Sequence, residues 1–328
     1  MHWRGLDPRI VAALMLCTLL VTSVTTHAAS LAMGPVRIIV AYPPGGVSDS
    51  IARALAQRAS PQLGVPVIVE NRPGAGGGVA MESLKHAPPD GRTLVFSAIS
   101  PLTIASQVGP TGFDPDRDVT PVMSVMATPV LVLGTAALQG DTLAAVIDAA
   151  RAQPGAVRWA TSGVGTTGHR VLEQVRAASG VDITHVPYMG GGQQIADALA
   201  GEFEVLSSNA GALQFKYVGE GRLKALAVGA PARLAALPGV PTLAEAGFPA
   251  ANLSSTFGLF APGRTPAHVV SQLNRTFDVA LRDPAIQRRL REAGNVATGG
   301  APSAFAEQIA RHREVAGTTA RGSGRVAR

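Results

Sequence analysis

Apolar, β-branched runs alternate along this chain with stretches of helical period, and turns rich in glycine or hydroxyls join them. Val36–Val40 is the first run and predicts a buried strand. A turn follows, Tyr42-Pro43-Pro44-Gly45-Gly46, then Ser48 and Asp49, both good N-cap types. The next segment is a helix with Ile51, Ala52, Leu55 and Ala59 on one face. The same order returns later, as strand Val157–Ala160, turn Thr161–Gly168 and helix His169–Ser179. Between and after these, strands are expected at Val65–Val69, Thr93–Phe96, Val119–Val125, Pro129–Gly134 and Ile183–Tyr188. Gly201–Leu206 reads as turn and strand, and Lys224–Val228 and Thr256–Ala261 as strands. Helices are expected at Thr142–Gln153, Gln193–Ala200, Val269–Leu281, Asp283–Ala293 and Ser303–Glu314, with no periodicity after Gly317. The pattern is that of an α/β protein.

Each glycine turn opens a helix, so backbone N–H groups and the helix dipole point the same way and favour an anion. The first turn has no lysine and is not a G-x-x-x-x-G-K-[ST] phosphate loop. Two such turns, one in each half, are what a protein closing two lobes on one small acid requires; two unrelated connections would read the same. The run Gly74–Gly78 departs from G-x-G-x-x-G/A because position 79 is valine, so the dinucleotide signal is weak. Arg72 serves either to grip a carboxylate or to brace its own loop. Ser97 and Ser100 stand at the carboxyl end of a strand, where α/β sheets bind ligands, or cap the next helix. Ser162 lies outside any G-x-S-x-G, and His169, seven residues on, is poorly placed as its base. No H-E-x-x-H is present, and no metal or cofactor is expected.

Composition changes this picture in two ways. With 328 residues, 46% hydrophobic and 15% charged, the chain can bury the cores of about two domains. The net charge of +6 first suggests nucleic acid, but residues 1–28 carry +1 and residues 311–328 carry +4, leaving +1 for everything between. Aromatics are 4%, and no basic stripe interleaves with them, so no nucleic-acid partner is expected. Residues 1–28 read as a signal peptide: Arg4 and Arg9, an apolar Ile10–Val24, then small residues around Ala28 and Ala29. The single cysteine, Cys17, lies in that segment, so the mature chain has none. Export without cysteine suits a periplasmic protein large enough to fold without disulfides.

Several segments together resemble the substrate-binding receptors of tripartite tricarboxylate transporters, the Bug receptors. They include YPPGGVSDSIAR (Tyr42–Arg53), VENRPGAGGGVA (Val69–Ala80), DGRTLVFSAIS (Asp90–Ser100) and TSGVGTTGH (Thr161–His169). HVPYMGGGQQIADALAGEFEV (His185–Val205), RLAALPGVPTLAEAG (Arg233–Gly247) and FGLFAPGRTP (Phe257–Pro266) continue the match in order. The resemblance implies a two-lobed, type II-like periplasmic binding fold with the ligand cleft between lobes. It implies lobe 1 at 29–128 plus 255–316, lobe 2 at 129–254, and a disordered basic tail at 317–328. It also implies a monomer that captures a small di- or tricarboxylate for membrane transporter subunits. The ligand would be held by Tyr42, Gly45, Gly46 and Asp49, by Ser97 and Ser100, and across the cleft by Ser162, Gly165, Thr166, His169, Tyr188 and Asn209. Where relatives often carry an aromatic–acid pair, this chain has Ser207-Ser208 before Asn209, which disfavours an amino-acid ligand. A secreted hydrolase or transferase and a binding protein serving a sensor are the alternative readings; a paired nucleophile and base would mark the former.

Overall fold

The computed structural model describes residues 34–322, and the signal segment expected at 1–28 lies outside them. In chain order the elements are β1 (Val36–Val40), α1 (Val47–Leu63), β2 (Val67–Asn71), α2 (Gly78–Lys85) and β3 (Thr93–Ala98). Next come β4 (Val119–Gly134), α3 (Leu143–Ala152), β5 (Arg158–Thr161), α4 (Thr167–Ser179), β6 (Thr184–Pro187) and α5 (Gly191–Ala200). Then follow β7 (Val205–Asn209), α6 (Ala212–Gly219), β8 (Lys224–Gly229) and β9 (Ser254–Pro262). The chain closes with α7 (Ala267–Leu281), α8 (Pro284–Glu292), β10 (Val296–Ala297) and α9 (Pro302–Gly322).

The fold has two lobes, and β4 belongs to both. In the first lobe β1 pairs in parallel with β2 and β3, while β9 runs antiparallel to β3. In the second, β5 pairs in parallel with β6 and β7. From Val119 to Pro129, β4 pairs with β9; from Val130 to Gly134 it pairs with β7 and β8. The sequence predicts two strands here, Val119–Val125 and Pro129–Gly134. The structure shows one continuous strand of 16 residues. Pro129 sits where one ladder ends and the next begins, so its missing N–H costs no sheet bond. Its carbonyl is used, accepting from Ala210 N–H at 2.8 Å.

Strand alternation gives each lobe a core on both faces of its sheet. Ile38 and Val40 pack with Leu55 of α1 and Phe277 of α7, whereas Ile39 faces Met81 of α2 and Phe305 of α9. In the second lobe Val130 and Val132 pack with Val146 of α3 and Leu172 of α4, and Leu131 and Leu133 with Ile195 of α5. Both glycine turns are therefore mounted on strands whose two faces are buried.

Helix α9 runs beyond the expected Ser303–Glu314 and through Gly317 to Gly322. Phe305, Ile309 and Ala316 are buried on it. Arg313 donates to the Leu102 carbonyl at 3.2 Å and to Asp116 at 2.6 Å. Arg170 of α4 donates to the Val315 carbonyl at 3.1 Å, tying this helix of the first lobe to the second. The expected disordered tail at 317–328 is instead helical over 317–322, continuing a helix that these contacts hold as far as Ala316.

Candidate ligand-binding cleft

The first turn leaves β1 at Val40 and delivers the chain to α1. Tyr42 meets Phe257 edge-on, with ring centroids 5.6 Å apart, and its hydroxyl oxygen accepts from Ala98 N–H at 3.0 Å. Burial pushes the Tyr42 hydroxyl pKa up despite that bond, so it stays neutral. Asp49, expected as a ligand contact, is instead the brace of the turn. It is 5% exposed and accepts from Gly45 N–H at 3.0 Å, Arg53 Nε at 3.1 Å and Asn71 Nδ2 at 2.9 Å. Burial alone would raise its pKa, but the bonds from Arg53, Gly45 and Asn71 outweigh it and hold the carboxyl below its usual range. The Gly45 amide is thus engaged inside the turn, although Gly45 and Gly46 both line the cleft mouth. Ser97, likewise expected at the ligand, is fully buried beneath Gly77 and lines no part of the cleft, whereas Ser100 does.

The second turn links β5 to α4. Thr166 caps α4: its Oγ1 accepts from His169 N–H at 3.2 Å and donates to the Gly163 carbonyl at 2.8 Å. Gly165 has φ +73°, and its N–H donates to His169 Nδ1 at 3.2 Å. A Cβ on Gly165 would stand 2.7 Å from the Ala105 Cβ of the opposite lobe, so this glycine serves lobe contact rather than ligand approach. His169 lies behind the turn, stacked on His185 at 4.5 Å between centroids, with Nε2 3.8 Å from Glu173. His185 Nε2 lies 2.8 Å from Thr161 Oγ1. Burial, with His169 and Arg176 adding to it and Glu173 opposing, brings the His185 pKa down to about 4. Tyr188 also faces away from the cleft. Its hydroxyl donates to Asp197 at 2.7 Å, and burial followed by Asp197 pushes its pKa up to about 12.

Of the expected site residues, the cleft brings together Tyr42, Gly45, Gly46, Ser100, Ser162, Thr166 and Asn209. Its inner part is a ring of hydroxyls and amides, completed by Thr167, Gly168, Ser207, Ser208 and Ser255, none of which the sequence singled out as contacts. Ser207-Ser208 were visible as a departure from the family pattern; Ser255 had no local signal. Asn209 Oδ1 accepts from Ser255 Oγ at 2.8 Å, which leaves Nδ2 to donate. Ser207 Oγ donates to the Gly168 carbonyl at 3.0 Å, and Ser208 Oγ accepts from Gln214 at 3.0 Å. Thr128, also unforeseen, lines the outer part. It is 1% exposed, and its hydroxyl has no partner among the described residues.

Four helices present N-terminal residues to this cleft: α1 at Gly46, α4 at Thr166, α5 at Gly191 and α6 at Ala212. Among the described residues, no Asp, Glu, Lys, Arg or His side chain lines either part. Arg72, outside the cleft, stands 3.9 Å from Glu70 and donates its N–H to the Val40 carbonyl at 2.8 Å.

Residues 51–312 match the model of the tripartite tricarboxylate transporter family receptor. Protein BugT of Bordetella pertussis is 34% identical over 254 residues, 77% of this chain and 78% of BugT. A structure of a periplasmic transporter superposes with a TM-score of 0.83 at 33% identity, covering 89% of this chain and 98% of that one. An R. palustris protein solved with adipate superposes with a TM-score of 0.82 at 30% identity, again covering 89% of this chain and 98% of that one.

Proposed function

The chain belongs to the tripartite tricarboxylate transporter receptor family, and from that premise we propose that it captures a small carboxylate between its lobes for a membrane transporter of the tripartite type. Its family and its structural relatives are solute-binding proteins rather than enzymes. One observation carries the carboxylate reading: four helix N-termini present residues to a cleft with a ring of hydroxyls and amides, and among the described residues no charged side chain lines it. A cation would find no counter-charge there, and a sugar would not call for convergent helix dipoles. A relative solved with adipate supports the same class.

Tyr42, Gly46, Ser100, Ser162, Thr166 and Asn209 are the proposed ligand contacts. Hydrogen bonds to a charged group contribute about 1.5–3 kcal/mol each. Micromolar affinity needs about 8 kcal/mol beyond association costs of roughly 4 or more. Five or six donors shared between the lobes meet that need without a salt bridge. The protein would act in the periplasm, as a monomer, after cleavage near Ala28 or Ala29.

Thermal melts of the mature protein with a panel of carboxylates, sugars, amines and nucleotides test the class. At least one carboxylate should raise Tm by mass action. A shift by sugars, cations or nucleotides alone would overturn the reading.

A further inference from the structure

The cleft is chemically two-sided. Its inner part is hydroxyl and amide, as described, whereas its outer part sets an apolar wall, Pro43, Met126, Ile195, Leu213 and Phe257, beside the N-terminal residues of α1, α5 and α6. Strand register makes the division sharp. Met126 pairs with Phe257, and two residues along the same strands Thr128 pairs with Ser255. One face of the β4–β9 ladder therefore passes from apolar to hydroxyl within a single repeat. Leu213 is 47% exposed, a large aliphatic side chain held open at the mouth of the cleft rather than packed into α6's own lobe. Thr128 adds a buried hydroxyl without a partner on the cleft wall.

A polyhydroxylated acid does not suit this arrangement. Seated with a carboxylate in the inner ring, it would lay hydroxyls against Met126, Phe257 and Ile195, stripping them of water with no replacement bonds from those side chains. A hydrocarbon body gains from the same wall by burial. We propose that the ligand is a carboxylate with a hydrocarbon body, aliphatic or aromatic and of about four carbons or more. Its carboxylate sits against Ser162, Ser208 and Asn209, which belong to the inner ring and also line the outer part with the N-termini of α1, α5 and α6, and its unsubstituted body lies along the Met126–Phe257–Ile195–Leu213 wall. This rests on the carboxylate reading above and narrows it.

Calorimetric titration of the mature protein with acids matched in length and charge tests it. The pairs are hexanoate against gluconate and hexanedioate against galactarate. In each pair the hydrocarbon member should bind at least about tenfold more tightly, and from butanoate to hexanoate affinity should rise about fourfold per methylene. Leu213→Gln alters an exposed position and should leave Tm unchanged. It should flatten the chain-length series, bringing hexanoate affinity down toward that of butanoate at unchanged Tm, which a general loss of structure would not do. If gluconate or galactarate binds as well as or better than its partner, or affinity ignores chain length, the hydrocarbon assignment is overturned while the carboxylate reading stands. If no acid of any pair binds and a non-carboxylate does, both fall.

Discussion

Asp49 gathers four donor atoms, and its role turns on which residues they come from. The sequence offered it as an N-cap or a ligand contact, and Arg53 four residues on was legible as a helical partner. What was not legible was Asn71, brought from the end of β2 by strand pairing, and the Gly45 amide folded back by the turn. Asp49→Ala should cost about 2–3 kcal/mol in urea unfolding, the range for bonds to a buried charge, and should weaken ligand binding by loosening Gly45 and Gly46. The buried imidazole of His185 gives a pH signature. Its folded-state pKa, about 4, lies below the ordinary imidazole value of 6.5, so the unfolded chain takes up the proton first. Stability from this residue is fully present above pH 6.5 and is lost as pH falls through about 4. His185→Gln should reduce that loss by roughly 1–2 kcal/mol, since the ring is half-buried and partly screened. Equal melting curves for both proteins at about pH 4.5 and 7 would contradict this.

At the level of elements, the two strand–turn–helix units looked alike in sequence and differ in use. Around Gly46 a Cβ would meet only the Pro43 carbonyl, at 3.9 Å, while at Gly165 it would press on both Cα and Cβ of Ala105. Gly46→Val should therefore keep Tm within a few degrees and act on the ligand alone. Gly165→Val should hold the lobes apart, cutting affinity at least about tenfold even for ligands that never touch residue 165, with some strain from its positive φ. Arg72→Ala should change affinity less than threefold, roughly the error of surface effects. Titration of the three variants with one ligand orders them. Periodicity made β1, β5, α1 and α4 readable because each buries one continuous stripe or run. Helix α6 was missed because it is eight residues long and none of them is fully buried; Phe215, Tyr217 and Val218 pack only partly against the second lobe's core. β4 was split at Pro129 because a strand that changes partners looks, locally, like two strands.

On the scale of the whole molecule, β4 and α9 both bridge the lobes, one by strand pairing and the other through the Arg170–Val315 bond. Phe305 anchors α9 against Phe260 at 5.3 Å between ring centroids. Phe305→Ala should cost about 3–5 kcal/mol in denaturant unfolding, and it should also free the Arg170–Val315 link and so change how readily the lobes part. The two-lobed plan was readable from the family resemblance, and the repeated order of segments agreed with it without requiring it. The cleft's membership was only half readable, because Thr128, Ser255 and Ser207 reach it through long-range pairing rather than through any local motif. A receptor that grips an anion on peptide dipoles has nothing of its own to titrate at the point of contact, and no mobile counter-ion pair to be screened. Once the ligand is fully ionised, affinity should stay within about threefold between pH 6 and 8.5, and between roughly 20 and 300 mM salt. A tenfold slope in either titration would show that a charged side chain takes part. With a level response, occupancy follows the concentration of the acid alone, and the protein reports scarcity or plenty of its ligand undisturbed by swings in the acidity and salinity of the surrounding medium.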